Sequence, residues 1–243
     1  MESSLLRSRN GLSGTALKRL ACVSMLLDHI GASCILMGMF GDAVAAGSVV
    51  MPENIYVLYQ ILRRVGRLAF PIYCFLLVEG FQYTHDRKKY ALRMLLFAFV
   101  SEIPFDWTFY GTPFYWQHQN VYWTLLFGIV AMAGMKKWEN SRLLQGGVLI
   151  GSAVVAELMN TDYGAIGVLL IAVLYLLRNS RKKQCIAGGL MVCYELPAPL
   201  AFVLVWFYNG TRGVCTKAEQ WAFYWFYPVH LVILGIITNV MMR

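Results

Sequence analysis

The chain has 243 residues, of which 58% are hydrophobic and 14% charged, with a formal net charge of +8. A soluble protein of this length has no interior for so much apolar surface, and its charged fraction falls well short of the usual ~25%. An ordinary soluble domain is therefore excluded. The basic excess, gathered in short clusters between apolar runs, reads as the loop charge of a membrane protein rather than as a nucleic-acid surface.

At about 20 residues per crossing, the apolar content supplies roughly seven to nine transmembrane helices. The expected fold is all-α, a polytopic integral membrane protein of about eight spans. Residues 1–243 form one helical bundle, with 1–14 as a cytoplasmic tail. Arg7, Arg9, Lys18 and Arg19 lead into a first span at 17–40, which carries Asp28 and His29 and is too long for a signal-peptide core. The second, 55–83, is interrupted by Arg63, Arg64 and Arg67 and reaches Glu79 near its end. Arg87, Lys88, Lys89 and Arg93 follow. The third, 89–109, closes on Ser101-Glu102-Ile103-Pro104-Phe105-Asp106, and the fourth, 120–135, opens on Asn120 with Thr124 one turn later. The fifth and sixth are 142–158 and 163–178. The seventh, 184–208, holds Glu195, Pro197 and Pro199 in its middle, where each proline removes a backbone hydrogen bond. A re-entrant pair there would change the parity of the bundle. The eighth, 219–241, has an aromatic belt of Trp221, Tyr224, Trp225 and Tyr227 before Pro228 and His230.

Lys and Arg in short loops set orientation. The N-terminal cluster, the Arg87–Arg93 cluster, Lys136, Lys137 and Arg142, the group Arg178, Arg181, Lys182 and Lys183, and Arg243 all fall on one side of an eight-span arrangement. Both termini are then expected in the cytoplasm of a bacterial cell, the chain lying multi-pass in its cytoplasmic membrane. Arg212 and Lys217 dissent. The opposite loops hold Asp42, Glu53, Asp106, Glu157 and Asp162. The six cysteines show no ligand spacing and read as small apolar packers, and no metal site is expected.

An ionisable group within a span is costly and faces the protein interior, so it is a functional candidate by default. Here several helices place such groups at similar depth, which implies a cavity. His29 leads, because an imidazole titrates near neutrality and suits proton transfer. Asp28 is about 100° away around the helix, so the two do not form a dyad by adjacency alone. Plainer roles stand beside these: Arg67 in a structural pair with Asp28 or Glu102, Arg63 or Arg64 snorkelling, Glu79 meeting the Arg87–Lys89 cluster, Glu102 and Asp106 bracing the loop at Pro104, and His118 solvated.

Taken in order, the polar segments carry a resemblance. Met25-Leu-Leu-Asp-His-Ile-Gly31, Arg64-Val-Gly-Arg-Leu-Ala-Phe-Pro-Ile72, Val78-Glu-Gly-Phe81, Ser101-Glu-Ile-Pro-Phe-Asp106, Asp162-Tyr-Gly164, Tyr208-Asn-Gly-Thr-Arg-Gly213 and Phe223-Tyr-Trp-Phe-Tyr-Pro-Val-His-Leu231 follow one another as in the TraX family. The sequence resembles that family from about Thr15 to Ile237, departing at Thr211 and Val229. The founding member acetylates the N-terminus of a conjugative pilin, so the resemblance implies a membrane acyltransferase using acetyl-CoA as co-substrate, without metal.

On that footing His29 is the expected general base, with His230 as second base or acid. Asp28 orients a partner or pairs with Arg67. Arg64, Arg67 or Asn120 stabilises the oxyanion. Arg87, Lys88, Lys89 and Arg93 are expected to meet the coenzyme A phosphates at the cytoplasmic mouth, with Glu79, Glu102, Asp106, Thr124 and Arg212 as further binding candidates. The acceptor would be a membrane-proximal amine or hydroxyl on a peptide, a glycan or a lipid-linked group; nucleic acid is not an expected partner. Two alternatives have different consequences: a small-molecule or proton-coupled transporter, for which a mid-depth polar layer also serves, and a non-catalytic pilus or envelope assembly factor.

Overall fold

A computed structural model describes residues 11–242. Arg7, Arg9, Arg243 and most of the 1–14 tail lie outside the described residues. Among the described residues the chain is all helical, with two isolated backbone bridges, Leu12 to Tyr208 and Gln119 to Thr161, and no strand.

The helices are α1 (Gly14–His29), which continues as a π-helix (Ile30–Met39) into α2 (Phe40–Ala45), then α3 (Glu53–Gly66), α4 (Ala69–Tyr83), α5 (Arg87–Tyr110), α6 (Val121–Lys137), α7 (Arg142–Leu158), α8 (Gly164–Leu176), α9 (Arg181–Met191), α10 (Ala201–Trp206) and α11 (Lys217–Met241). Their starts are written in the sequence. Ser13, Asp86, Asn120, Ser141, Ser180 and Thr216 each stand in extended conformation before a helix and accept a backbone N–H of its first turn, which offsets one of the free donors there. Two helices are long and apolar enough to cross a membrane, Gly14–Ala45 with 32 residues and Lys217–Met241 with 25.

Those two helices run parallel. Arg19 pairs with Glu219 at 2.7 Å near their starts, and a Cβ on Gly38 would stand 3.3 Å from Met241 Sδ near their ends. The reason lies in the seventh expected span, which folds back on itself as two short helices. α9 runs inward, the chain turns through Pro197 and Pro199, and α10 returns along α9 so closely that a Cβ on Gly188 would collide with the Phe202 ring. Arg181, at the start of this hairpin, lies 4.9 Å over the ring of Tyr208, just past its end. The prolines stop the helix, as the sequence warned.

The helix order differs from the one expected: 184–208 doubles back, and the start of α1 and the end of α11 lie at opposite ends of the bundle. The segment after α10 packs on the start of α1, where Leu12 N–H donates to Phe207 O, Gly14 N–H to Thr211 O and Thr15 N–H to Arg212 O, each at 2.9 Å. Arg212 and Lys217 therefore sit at the same end of the bundle as Lys18 and Arg19, and their dissent disappears. The C-terminal end of α11 lies at the opposite end.

A core of Leu17, Phe75, Phe81, Phe97, Ile129, Met132, Leu170 and Leu231 holds the bundle together. Fully burying such side chains contributes about 1.5–3 kcal/mol each, relative to water. Between α3 and α4 only Arg67 and Leu68 are non-helical. At that break Gly66 lies against Asp28 with no room for a Cβ, and Ser24 Oγ donates to Val65 O at 2.5 Å.

Candidate functional site

The break between α3 and α4 and the change from α to π helix after His29 occur side by side, and a cavity of about 310 Å³ opens there. Asp28, His29, Arg63, Arg67, Asp162 and Tyr163 supply its polar lining, with Phe109, Tyr110 and Tyr227 among its aromatic walls. A π segment widens the helix and commonly marks a functional position.

His29 Nδ1 lies 2.7 Å from His230 Nε2, and His230 Nδ1 lies 2.6 Å from Phe226 O. A carbonyl only accepts, so in the neutral pair His230 Nδ1 carries the hydrogen and its Nε2 offers a lone pair. His29 must then donate from Nδ1, and its Nε2 is left as a base. Among the described residues that nitrogen makes no hydrogen bond. Phe109 and Tyr227 meet the His29 ring edge to face, with centroids at 5.3 and 5.8 Å, and fix its plane. Pro228 contributes to the setting. It has no N–H for the Tyr224 carbonyl one turn earlier, and the Tyr122 hydroxyl donates to that carbonyl instead, at 3.4 Å.

Two ion pairs flank the histidines. Arg63 Nη1 reaches Asp28 Oδ2 at 2.6 Å, while Asp28 Oδ1 is buried without a hydrogen-bond partner among the described residues. Arg67 Nη1 reaches Glu195 Oε1 at 2.8 Å, so the tip of the α9–α10 hairpin delivers a carboxylate to the cavity region. The Arg67 partner is thus neither Asp28 nor Glu102. Tyr163, in the connection between α7 and α8, lines the cavity with Arg67 and stacks on Phe70 at a centroid distance of 3.6 Å. Its φ of 67° is left-handed, a conformation that costs a Cβ-bearing residue about 1–3 kcal/mol and persists only where the surroundings impose it.

Asp162, in the same connection, stands 3.9 Å from His118 Nε2. Burial, and then the Asp28 carboxylate, push its carboxyl up to about 7. His118 lines the cavity instead of standing free in solvent, stacks on Phe105, and is held below its ordinary value by burial.

Of the residues singled out in the sequence, the structure brings His29, Asp28 and Arg67 to the cavity, with His230 behind His29. Arg64 is exposed and does not line it. Glu102 accepts from Asn120 Nδ2 at 2.6 Å and Trp123 Nε1 at 2.7 Å, and Asn120, fully buried, caps α6. Asp106 accepts the Tyr115 N–H at 2.7 Å. Thr124 donates to the Asp162 carbonyl and lies 2.9 Å from Thr161 Oγ1. These four brace the connections around the cavity without lining it. A second cavity, about 740 Å³, lies at the end where α1 begins; Glu79, Arg93 and Arg212 line it. Arg87, Lys88 and Lys89 do not. Arg87 rests on the Phe81 ring and Lys89 pairs with Asp86 at 3.4 Å. Glu79 faces Arg181 at 4.0 Å rather than the Arg87–Lys89 cluster. Arg63, Asp162, Tyr163 and Glu195 are the additions, and each had one signal: charge in an apolar stretch, or the Asp162-Tyr-Gly164 segment.

Residues 13–238 match the family described as TraX protein. The chain belongs to the TraX family. The matched stretch contains both cavities, the hairpin and the histidine pair. The chain is also similar to the "Probable fimbrial assembly protein FimC, serogroup H1" of Dichelobacter nodosus, 28% identical over 256 residues that cover 93% of this chain and 96% of that protein. No solved structure matches.

Proposed function

We propose that this TraX-family chain is an integral-membrane acyltransferase, moving an acetyl group from acetyl-CoA to an amine or hydroxyl at the membrane or its outer face. The observation that carries the reading is the oriented histidine pair. A neutral imidazole with its lone pair on Nε2, held by a hydrogen-bonded partner and set in a cavity with two guanidinium groups, suits acyl transfer.

In the reaction, His29 Nε2 takes the proton of the acceptor N–H or O–H as the acceptor attacks the thioester carbonyl carbon. Arg67, or Arg63, faces the negative charge that develops on the carbonyl oxygen. His230 accepts from Nδ1 throughout and supports the imidazolium that forms. The carbon–sulfur bond then breaks, and His29 returns its proton to the leaving thiolate. The products are the acetylated acceptor and free coenzyme A.

The membrane arrangement belongs to the same proposal. α1 with its π continuation, α3 with α4, then α5, α6, α7, α8 and α11 make the crossings, and α9–α10 is a re-entrant hairpin. With the N-terminus cytoplasmic, the basic residues Lys18, Arg19, Arg93, Arg212 and Lys217 share the cytoplasmic end, as loop charge requires. The likeness to a probable fimbrial assembly protein supports a role in building surface fibres, either by modifying a subunit or by a non-catalytic part in assembly.

Thermal unfolding of the detergent-purified chain with acetyl-CoA separates these. A ligand bound only by the native state stabilises it by about 2.7 kcal/mol at a hundredfold excess over Kd. The acyltransferase reading expects a rise in Tm with acetyl-CoA. No rise at millimolar concentration favours the assembly role.

A further inference from the structure

The larger cavity gathers several cations that have no carboxylate partner among the described residues. Arg19, Arg63, Arg67, Lys89 and Arg181 each have a carboxylate partner. Lys18, Arg93 and Arg212, which line the cavity of about 740 Å³, have none among the described residues. Lys18 Nζ lies 5.1 Å over the Phe223 ring, and Arg93 Nε donates to the Tyr224 hydroxyl at 3.3 Å. The cavity's carboxylate, Glu79, faces Arg181 at 4.0 Å. Three unmatched cations around one chamber select a ligand with more than one phosphate group. At the rim, Tyr83 and Trp221 are 68% and 57% exposed, and flat aromatic faces of this kind stack a purine.

Phe223 lines both this cavity and the one that holds His29. The Phe223 ring is thus part of the wall of both the basic chamber and the histidine chamber.

We propose that the larger cavity is a binding site for an adenosine bisphosphate moiety, with Lys18, Arg93 and Arg212 as its phosphate ligands and Phe223 as the partition past which an attached chain reaches His29. The phosphate ligands stand on the geometry alone; the passage past Phe223 rests on the acyl-transfer reading. Phe223 is a positioning residue, not a catalytic one. A headgroup phosphate of a lipid shares the anionic chemistry but has no base to stack.

Titration of the purified full chain with adenosine 3′,5′-bisphosphate tests the site without any transfer reaction, with dihexanoyl-phosphatidylglycerol as the lipid arm. Lys18→Gln, Arg93→Gln and Arg212→Gln should each weaken bisphosphate binding about tenfold, as expected for loss of one charge-assisted contact. His29→Ala should bind it as the parent does. Arg212 is exposed, so its variant folds whatever befalls Lys18→Gln. Phe223→Trp, a larger partition, should bind the bisphosphate normally yet lose acetyl transfer. Unchanged affinity in the three charge variants, or the phospholipid competing as well as the bisphosphate, overturns the site. Wild-type transfer in Phe223→Trp overturns the partition. Bisphosphate binding through these residues in a chain that transfers no acetyl group would uphold the site and remove the acyl-transfer reading. Acetyl transfer with charge variants that bind normally would do the reverse.

Discussion

Two histidines 201 positions apart, His29 at the end of α1 and His230 within α11, share one hydrogen bond of 2.7 Å, and the Phe226 carbonyl fixes its direction. The backbone oxygen does here what a carboxylate does behind the histidine of a serine hydrolase, which is to settle the tautomer. His230→Ala should leave the fold intact and lower turnover about a hundredfold, the usual scale of a small misplacement at a reacting centre. The loss should fall on kcat, with KM for acetyl-CoA little changed. A loss confined to KM would make His230 a binding residue.

The Asp28–Arg63 pair is partly buried, so breaking it strands one charge in poor surroundings. Arg63→Gln should destabilise the chain by about 1–3 kcal/mol, between the scales for exposed and buried pairs. Asp28→Asn with Arg63→Gln should cost less than the single change. Thermal unfolding of Asp28→Asn, Arg63→Gln and the double variant completes the cycle, and additive losses would show that the pair is not coupled.

Gly66 gives a steric prediction. Its missing side chain lets α3 approach α1 where a Cβ would meet Asp28. Gly66→Ala should therefore cost about 1–3 kcal/mol and disturb the cavity. Gly146→Ala and Gly151→Ala, at positions of α7 where a Cβ meets nothing, should be neutral or raise stability by up to about 1 kcal/mol through helix propensity. Parallel unfolding curves provide the check.

Asp162 sets a pH dependence. Its folded carboxyl titrates at about 7, above the unfolded value, so the fold prefers the protonated form. The contribution is complete below about pH 4, declines as the unfolded chain ionises first, and is lost once pH passes 7. Stability should fall gently between those limits, since the side chain keeps 39% of its surface and water screens it. Asp162→Asn should flatten that slope. An unaltered slope in the variant would assign the dependence to another group.

Much of this was legible in residues whose physics is local. Ser13, Asp86, Asn120 and Thr216 announce helix starts by capping. Charges within apolar runs, Asp28, His29 and Arg67, pointed to the cavity because burial without partners is costly. Partner choice was not legible. Arg67 meets Glu195 because a hairpin tip reaches it, and that hairpin depends on whether Pro197 and Pro199 bend a span or reverse it. Hydropathy does not distinguish those outcomes. The loop charges Arg212 and Lys217 did, in retrospect, by disagreeing with the eight-span parity. Glu102 and Asn120 show the same limit of sequence: a buried carboxylate accepting several N–H groups serves as a structural brace, the plainer role the sequence already offered Glu102.

The central claim is that His29 is the base of an acetyl transfer. Radiolabelled acetyl-CoA, supplied to envelope preparations from cells with the parent chain or His29→Ala at equal abundance, tests it most directly because the native acceptor is present. The account predicts label in an envelope product with the parent and a loss of about 10²- to 10⁴-fold with His29→Ala, the span over which general bases contribute. Equal labelling by the two chains would contradict it.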